Sequence, residues 1–412
     1  MAENSRSLNA GRGKNAEVTR FLDGKVQVLQ PRKGYRFNVD SVVLAGCAWV
    51  RDEESVLDLG TGAGILLLLL GFRHHPAVMA GVEIQDSLAS LARLNLVENG
   101  WDETASIIHG DFRDPELLAG RRFDVVVSNP PYFDPRRGRS SPDSQKALSR
   151  QGVACSVLEL AAAAARALAP GGRFVFLCPA ERLGEVRKGL EGAGLYPRLV
   201  RAVRHTPGSP PYILVIQARR NHGKGCLYLP DLFLKGPAGS DTPEMASVLH
   251  GDRGPGPNFF CDCMVGRLAH YLRLLGYDAA YARQSDDEWI LCEALRAKRV
   301  LLTRDRLLVR QYRKAGGEAF NPDADRPASQ LRLVREKFGP APAPGAPRCL
   351  NCNAPTTAVK REMVRGFVPP YTYLTHRRFQ VCPCCGKVTW EGSHLARFAG
   401  NVIGESNNEP GT

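Results

Sequence analysis

Apolar residues recur along this chain in two rhythms. Short runs rich in Val, Ile and Leu alternate with stretches whose apolar positions return every three or four residues. The first rhythm marks buried strands, the second amphipathic helices. Val26–Pro31 reads as a short strand, and Asp40–Trp49 as a helix capped by Asp40. Ser55–Leu59, Val78–Val82, Ala105–Ile108 and Phe123–Val127 read as further strands, with an apolar helix opening at Ile65. The alternation resumes with a strand at Asn258–Asp262 and a helix from Val265 to Leu275 stopped by Gly276. A strand over Tyr277–Ala282, a helix from Asp286 to Ala297 and a strand at Arg299–Thr303 follow. Such alternation predicts an α/β sheet in each half. Between the halves, 236–257 carry Gly-Pro-Ala-Gly-Ser and Gly-Asp-Arg-Gly-Pro-Gly-Pro, a linker composition. Residues 1–21 and 399–412 are polar and expected to be disordered.

Candidate chemistry gathers where the early strands end. Gly60-Thr-Gly62-Ala-Gly64 follows Ser55–Leu59 at once. Strand, glycine loop and helix together turn backbone N–H groups toward a ligand. No Gly-Lys-Ser/Thr follows, so the loop is not a phosphate-binding P-loop. Asp58 lies in the first of these strands, while Glu83, Asp111 and Asn129 stand at or just past the ends of the next three. In a doubly wound sheet such ends share one edge, where an acid like Glu83 can accept both ribose hydroxyls. Asp111 could face an adenine amino group. Asn129-Pro130-Pro131-Tyr132 offers two rigid acceptors, the Asn129 side-chain carbonyl and the Pro130 carbonyl, to one amino group. Tyr132 supplies a flat face for a planar ring. Read alone, the stretch could equally be a turn with Tyr132 in the core.

In the second half, Asp262, Asp287 and Asp305 sit at element ends where they could converge. Oxygen-rich clusters bind Mg²⁺ or Mn²⁺, and paired metals can activate water and stabilise a leaving phosphate oxygen. Helix capping explains the same residues equally well from spacing alone. Cys349-Leu-Asn-Cys352 and Cys382-Pro-Cys384-Cys385 form two CxxC knuckles. They predict a structural Cys₄ zinc site with ligands Cys349, Cys352, Cys382 and Cys385, and Cys384 as a spare thiol able to compete. Arg365, His376, Arg377, Arg378 and Lys387 could make this unit an RNA-holding platform or be ordinary surface.

Composition narrows the setting. No apolar run approaches the ~20 residues that span a bilayer, and the N-terminus has no signal-peptide core. A cytoplasmic protein without membrane contact is expected, its 12 cysteines serving as thiols or ligands. Net charge is +13, of which residues 259–398 hold +10, from 23 Lys and Arg against 13 Asp and Glu. Such an excess favours an anionic partner, most simply nucleic acid.

The order of glycine loop, Glu83, Asp111 and Asn129-Pro130-Pro131-Tyr132 resembles the amino-methylating class I S-adenosylmethionine methyltransferases. Gln30-Pro31, Gly34-Tyr35-Arg36-Phe37, Asp40, Ser128 to Phe133, Pro170-Gly-Gly-Arg-Phe174 and Pro179-Ala-Glu-Arg182 narrow the likeness. They resemble bacterial tRNA (adenine-N6)-methyltransferases that act beside the anticodon of a valine tRNA. The resemblance spans 22–251 and implies a Rossmann-like domain. It also implies S-adenosylmethionine held by Asp58, Gly60, Gly62, Gly64, Glu83, Asp111 and Asn129, with Asn129, Pro130 and Tyr132 at the reacting amine. Arg136, Arg137, Arg139, Lys146 and Arg150 could then contact phosphates. Asp262-Cys-Met-Val-Gly-Arg to Asp278, with Leu301-Leu-Thr-Arg-Asp305, resembles the PIN-like RNase domain named after the C-terminus of the mut-seven exonuclease. That likeness implies cleavage of single-stranded RNA through Asp262, Asp287 and Asp305 with Mg²⁺ or Mn²⁺, and Asp325 as a further acid. The expected order is a methyltransferase domain (22–251), a linker (252–257), a PIN-like domain (258–344) and a zinc ribbon (345–398). Two rivals stand beside this reading. The second half could be only an RNA-binding module, or the motif could serve a guanine amine or a protein glutamine.

Overall fold

The computed structural model describes residues 16–32, 38–130, 155–220, 225–250, 256–281, 286–340 and 347–390. Gly34 to Phe37, Pro131, Tyr132, the basic run from Arg136 to Arg150 and the tail from 391 lie outside them. The chain divides into two compact units, Met1–Gly251 and Asp252–Thr412.

The first unit opens with an antiparallel hairpin of β1 (Ala16–Phe21) and β2 (Val26–Pro31). Disorder was expected over the first of these strands. The correction lies in the turn: Leu22, Asp23 and Gly24 all have positive φ, and Asp-Gly is a strong hairpin signal. The hairpin is also anchored, since Asn95 of the helix Asp86–Glu98 accepts from Leu29 N at 2.7 Å and donates to Leu29 O at 2.9 Å.

The main sheet uses β3 (Ser55–Leu59), β4 (Val78–Glu83), β5 (Ala105–His109), β6 (Phe123–Ser128), β7 (Leu168–Pro179), β8 (Tyr196–Arg204), β9 (Pro211–Arg219) and β10 (Leu227–Phe233). Its order is β10-β8-β9-β7-β6-β3-β4-β5. All neighbours are parallel except around β9, which is antiparallel to both β7 and β8. From β3 the chain winds outward through β4 and β5, then returns to lay β6 on the other side of β3. Order reverses between β3 and β6, so a crevice opens beyond their carboxyl ends. Helices Val39–Cys47, Ile65–His74, Asp86–Glu98 and Pro243–His250 contribute to one core cluster, and Val157–Ala167 and Leu183–Gly192 to a second. Ile65 to Leu70 are all buried, which suits an uninterrupted apolar run.

Two expectations change here. The helix at Val39–Cys47 is capped by Asn38, whose side chain accepts from Asp40 N at 3.1 Å; Asp40 is inside the first turn. Residues 243–250, within the stretch read as linker, form a helix that buries Met245 and Val248. Gly46 admits Val248 closely, for a Cβ there would stand 2.8 Å from its methyls. The glycines and prolines around this helix hid its two apolar anchors.

In the second unit β11 (Phe259–Cys261), β12 (Ala279–Tyr281), β13 (Val300–Leu302) and β14 (Ala319–Phe320) make a parallel sheet of order β12-β11-β13-β14. Its order reverses between β11 and β13. An antiparallel sheet of β15 (Thr357–Val359), β16 (Phe379–Val381) and β17 (Val388–Trp390) carries the cysteine knuckles. Among the described residues no helix is long and apolar enough to cross a membrane.

Candidate sites at two sheet edges and a cysteine cluster

Beyond β3 the chain turns through Gly60, Gly62 and Gly64, all at positive φ. A Cβ on Gly81 would meet Thr61 at 2.8 Å, so bare backbone in β4 lets the loop fold close. Asp58 is fully buried; its Oδ2 accepts from Thr61 Oγ1 at 2.7 Å, and its Oδ1 has no partner. Burial, helped by the charge of Glu83 and opposed by the Thr61 hydrogen bond, pushes its pKa up to about 7. Glu83 accepts from Gly62 N at 2.8 Å and Gln85 N at 2.9 Å, which fixes its carboxylate beside the loop.

Across the crevice, Ser128 Oγ donates to Leu59 O at 2.7 Å and pins the end of β6 to the end of β3. Asn129 follows, its Nδ2 donating to Ser41 Oγ at 3.0 Å. That bond commits the donor end of the amide and leaves Oδ1 as the end able to accept. Gln30 is 3% exposed, donates through Nε2 to Thr19 Oγ1 at 2.6 Å, and has a buried Oε1 without a partner. Gln30, Ser41, Asp58, Gly60, Thr61 and Asn129 line one pocket with Ala63, Ile65 and Leu66. A buried acceptor left unpaired costs on the order of 1–3 kcal/mol. Two such oxygens in a pocket with Asn129 therefore suit a cationic, donor-bearing ligand. Asp111 stands apart from this set: both its oxygens are held by Arg113, with Nη2 at 2.6 Å, which lowers its pKa. Pro130 is buried, and Tyr132 lies outside the described residues. Ser41, Ser128 and Gln30 had no predicted role, because what they face is set by strand register and, for Ser41, by where the helix Val39–Cys47 packs.

At the second edge Asp262 follows β11 and is 3% exposed. Its Oδ1 accepts from Met264 N and Val265 N at 2.9 and 3.2 Å, and its Oδ2 accepts from Thr303 Oγ1. Burial raises its pKa, the charge of Asp287 adds to the rise, and these hydrogen bonds oppose it. Thr303 in turn accepts from Asp305 N at 2.9 Å, so one hydroxyl links the two acids. Asp305 Oδ1 caps the helix Arg306–Lys314 through Leu307 N at 2.6 Å and Leu308 N at 3.1 Å. Asp286, not Asp287, caps the helix Asp287–Arg296, through Trp289 N at 2.7 Å. Asp325 is exposed and paired with Arg304 at 2.9 Å. Capping is thus a real role of Asp262 and Asp305, while Asp287 has none.

Among the described residues, Cys349, Cys352, Cys382 and Cys385 are the only His, Cys, Asp or Glu side chains grouped tightly enough to share a metal ion. The three carboxylates do not meet as such a group. The four sulfurs all lie within 4.8 Å of one another, with Cys349 and Cys385 3.7 Å apart. Tetrahedral zinc with Zn–S of about 2.3 Å separates its sulfurs by roughly 3.8 Å, so the donor set fits. The first knuckle is tied into the parallel sheet rather than hung from it. Asn353, at φ +59°, donates to Asp278 Oδ1 at 2.6 Å and accepts from Ala279 N of β12 at 3.1 Å. Arg348 donates to Asn353 O at 2.9 Å, and Arg299 to Asp278 Oδ1 at 2.6 Å. Burial raises the Asp278 pKa, but Arg299 and Arg348 outweigh it and hold the carboxyl well below its usual range. Of the basic residues noted for the ribbon, Arg365, Arg377, Arg378 and Lys387 are exposed and His376 is half-buried.

The sheet order, glycine loop and Asn129 pocket define the first unit as a Rossmann-like methyltransferase, and its residues 36–183 match the methyltransferase small domain. Residues 257–402 match the Mut7-C RNAse domain. The tRNA1(Val) (adenine(37)-N6)-methyltransferase of Porphyromonas gingivalis W83 is 30% identical over 193 residues, 45% of this chain and 74% of the relative. Those of Bacteroides fragilis (43% of this chain, 73% of the relative) and Tolumonas auensis (48% and 83%) are each 31% identical. The chain belongs to the tRNA1(Val) (adenine(37)-N6)-methyltransferase family through its first half and carries a Mut7-C RNAse domain in its second. A methyltransferase structure from Pyrococcus furiosus is 16% identical, covers 48% of this chain and 89% of its own, and aligns at a TM-score of 0.36.

Proposed function

We propose that the first unit methylates N6 of an adenine in tRNA and that the second cleaves RNA with divalent metal ions. The observation that carries the first reading is Asn129, held by Ser41 with its acceptor end free, in one pocket with the unpaired oxygens of Asp58 and Gln30. S-adenosylmethionine supplies the methyl group. Asp58 and the loop Gly60 to Gly64 hold that cationic donor, Gln30 adds a further acceptor, and Glu83 takes the ribose hydroxyls. Asn129 and the Pro130 carbonyl orient the adenine amine and stabilise the positive charge it gains. Asp111 is left out of the donor set unless Arg113 releases it. The proton leaves after transfer, so no strong base is required. The base must be unstacked to enter.

The pKa of Asp58 sets a test. A cationic donor binds the ionised carboxylate, which is half present at about pH 7, predominates as pH rises above it and is lost below it. Binding below pH 7 must therefore expel a proton. Calorimetry should show donor affinity falling as pH drops from 8 to 6, by at most about tenfold per unit. Asp58→Asn should bind weakly with a flat profile. A wild-type affinity independent of pH would remove Asp58 from the donor site.

For the second unit, Asp262 and Asp305 follow β11 and β13, between which the sheet order reverses, and Asp287 opens the helix after β12; on this reading the three supply the hard oxygens that Mg²⁺ or Mn²⁺ prefer. Zinc at the four cysteines supplies folding energy, because the knuckle anchors β12 through Asn353. Cys349→Ser should lose one zinc per chain and lower the melting midpoint of this unit by about 10 °C or more. Methyl transfer by the first unit should persist. Metal analysis that finds full zinc in Cys349→Ser would exclude this ligand set. A reduced Cys₄ site also fits a cytoplasmic location.

A further inference from the structure

Five large apolar side chains are exposed among the described residues of the second unit, and three of them follow the acids that stand after β11, β12 and β13. These are Met264, Trp289 and Leu307, at 55, 37 and 61% exposure. Each stands two residues beyond one of the acids Asp262, Asp287 and Asp305. The spacing is enforced by hydrogen bonds. Met264 N donates to Asp262, Leu307 N to Asp305 and Trp289 N to Asp286, at 2.9, 2.6 and 2.7 Å. At Asp262 and Asp305 the turn that fixes the acid therefore also fixes the apolar group beside it, while Trp289 is held through Asp286, the neighbour of Asp287. Trp289 also leans on Phe260 of β11, ring centroids 6.2 Å apart, so its indole is held near the strand that ends in Asp262. Exposed Arg267 and Arg310 lie on the helices that follow Asp262 and Asp305. Capping needs no apolar residue at these positions, and burial does not use them.

We propose that Met264, Trp289 and Leu307 form an apolar rim that takes unstacked bases of single-stranded RNA, with Arg267 and Arg310 drawing its phosphates to the acidic edge. This rests on the ribonuclease reading of the second unit. Bases of a single strand have free faces for an indole or thioether, whereas duplex bases hide theirs. The rim would thus choose strandedness without reading sequence.

The test uses the full chain with Trp289→Ala, Trp289→Phe and the triple variant Met264→Gln, Trp289→Ala, Leu307→Gln. Binding of a labelled single-stranded RNA is followed by fluorescence anisotropy in Ca²⁺, which gives a readout that does not require cleavage. Cleavage in Mg²⁺ is followed on the same RNA and on an abasic oligomer of equal length. Trp289→Ala should weaken binding and raise KM about tenfold or more with kcat within about twofold. Trp289→Phe should recover most of that loss, and the effect should be confined to the substrate that carries bases. Unchanged affinity in the triple variant would overturn the rim and point to a surface for another protein, and an equal loss on the abasic oligomer would overturn it by showing that these side chains do not act through bases. Asp305→Asn, run alongside, separates the two ideas. If it cleaves like wild type the ribonuclease reading falls, and the anisotropy result still decides the rim.

Discussion

Asn129→Ala is expected to leave S-adenosylmethionine affinity within about twofold and to slow methyl transfer to tRNA by about 10²–10³-fold. Removing one preorganised polar group at a site of developing charge typically has that size. The structure says why the loss should fall on turnover. Asn129 spends its amide donor on Ser41, and on the proposed reading the methyl donor is held elsewhere, by the unpaired oxygen of Asp58 and the glycine loop. Ser41→Ala should produce a milder version of the same defect by freeing the amide to rotate. Donor affinity comes from calorimetry and rate from labelled methyl incorporated into total tRNA. Full activity in Asn129→Ala would end its assigned role.

Asp305→Asn is expected to abolish RNA cleavage without unfolding the second unit. An amide keeps the cap to Leu307 N and Leu308 N, since its oxygen can still accept both bonds. It removes the charge that a divalent ion would need. If capping were the whole role, the change would cost about 1 kcal/mol or less and leave cleavage unchanged. A labelled single-stranded RNA incubated with EDTA, Mg²⁺ or Mn²⁺ gives the answer. Tight RNA binding with no cleavage by wild type would favour a binding module instead.

Much of this was legible in the residues because strand ends carry the chemistry. A buried strand is a short apolar run, and whatever follows it stands at the sheet edge. Glu83, Asn129, Asp262 and Asp305 were positioned at or just past strand ends that way, and Asp58 inside its strand. The four cysteines needed only their spacing. What stayed hidden depended on register or on contacts between distant segments. Gln30 reaches Thr19, a diagonal neighbour, only once β1 pairs with β2. Thr303 joins two acids only because β11 and β13 are neighbours. Pro243–His250 was hidden by the glycines around it, and its two buried residues, Met245 and Val248, were too few to show a period. The clamp from Asn353 to β12 joins residues 74 apart, which no local pattern announces.

Whether Asn129 and its pocket methylate an adenine amine in tRNA is decided by nucleoside mass spectrometry of total tRNA from cells lacking this chain. N6-methyladenosine should fall, return with the wild-type chain and stay absent with Asn129→Ala. Unchanged N6-methyladenosine, with a methylated guanine or a protein methylglutamine lost in its place, would mean that Asn129 serves a different amine.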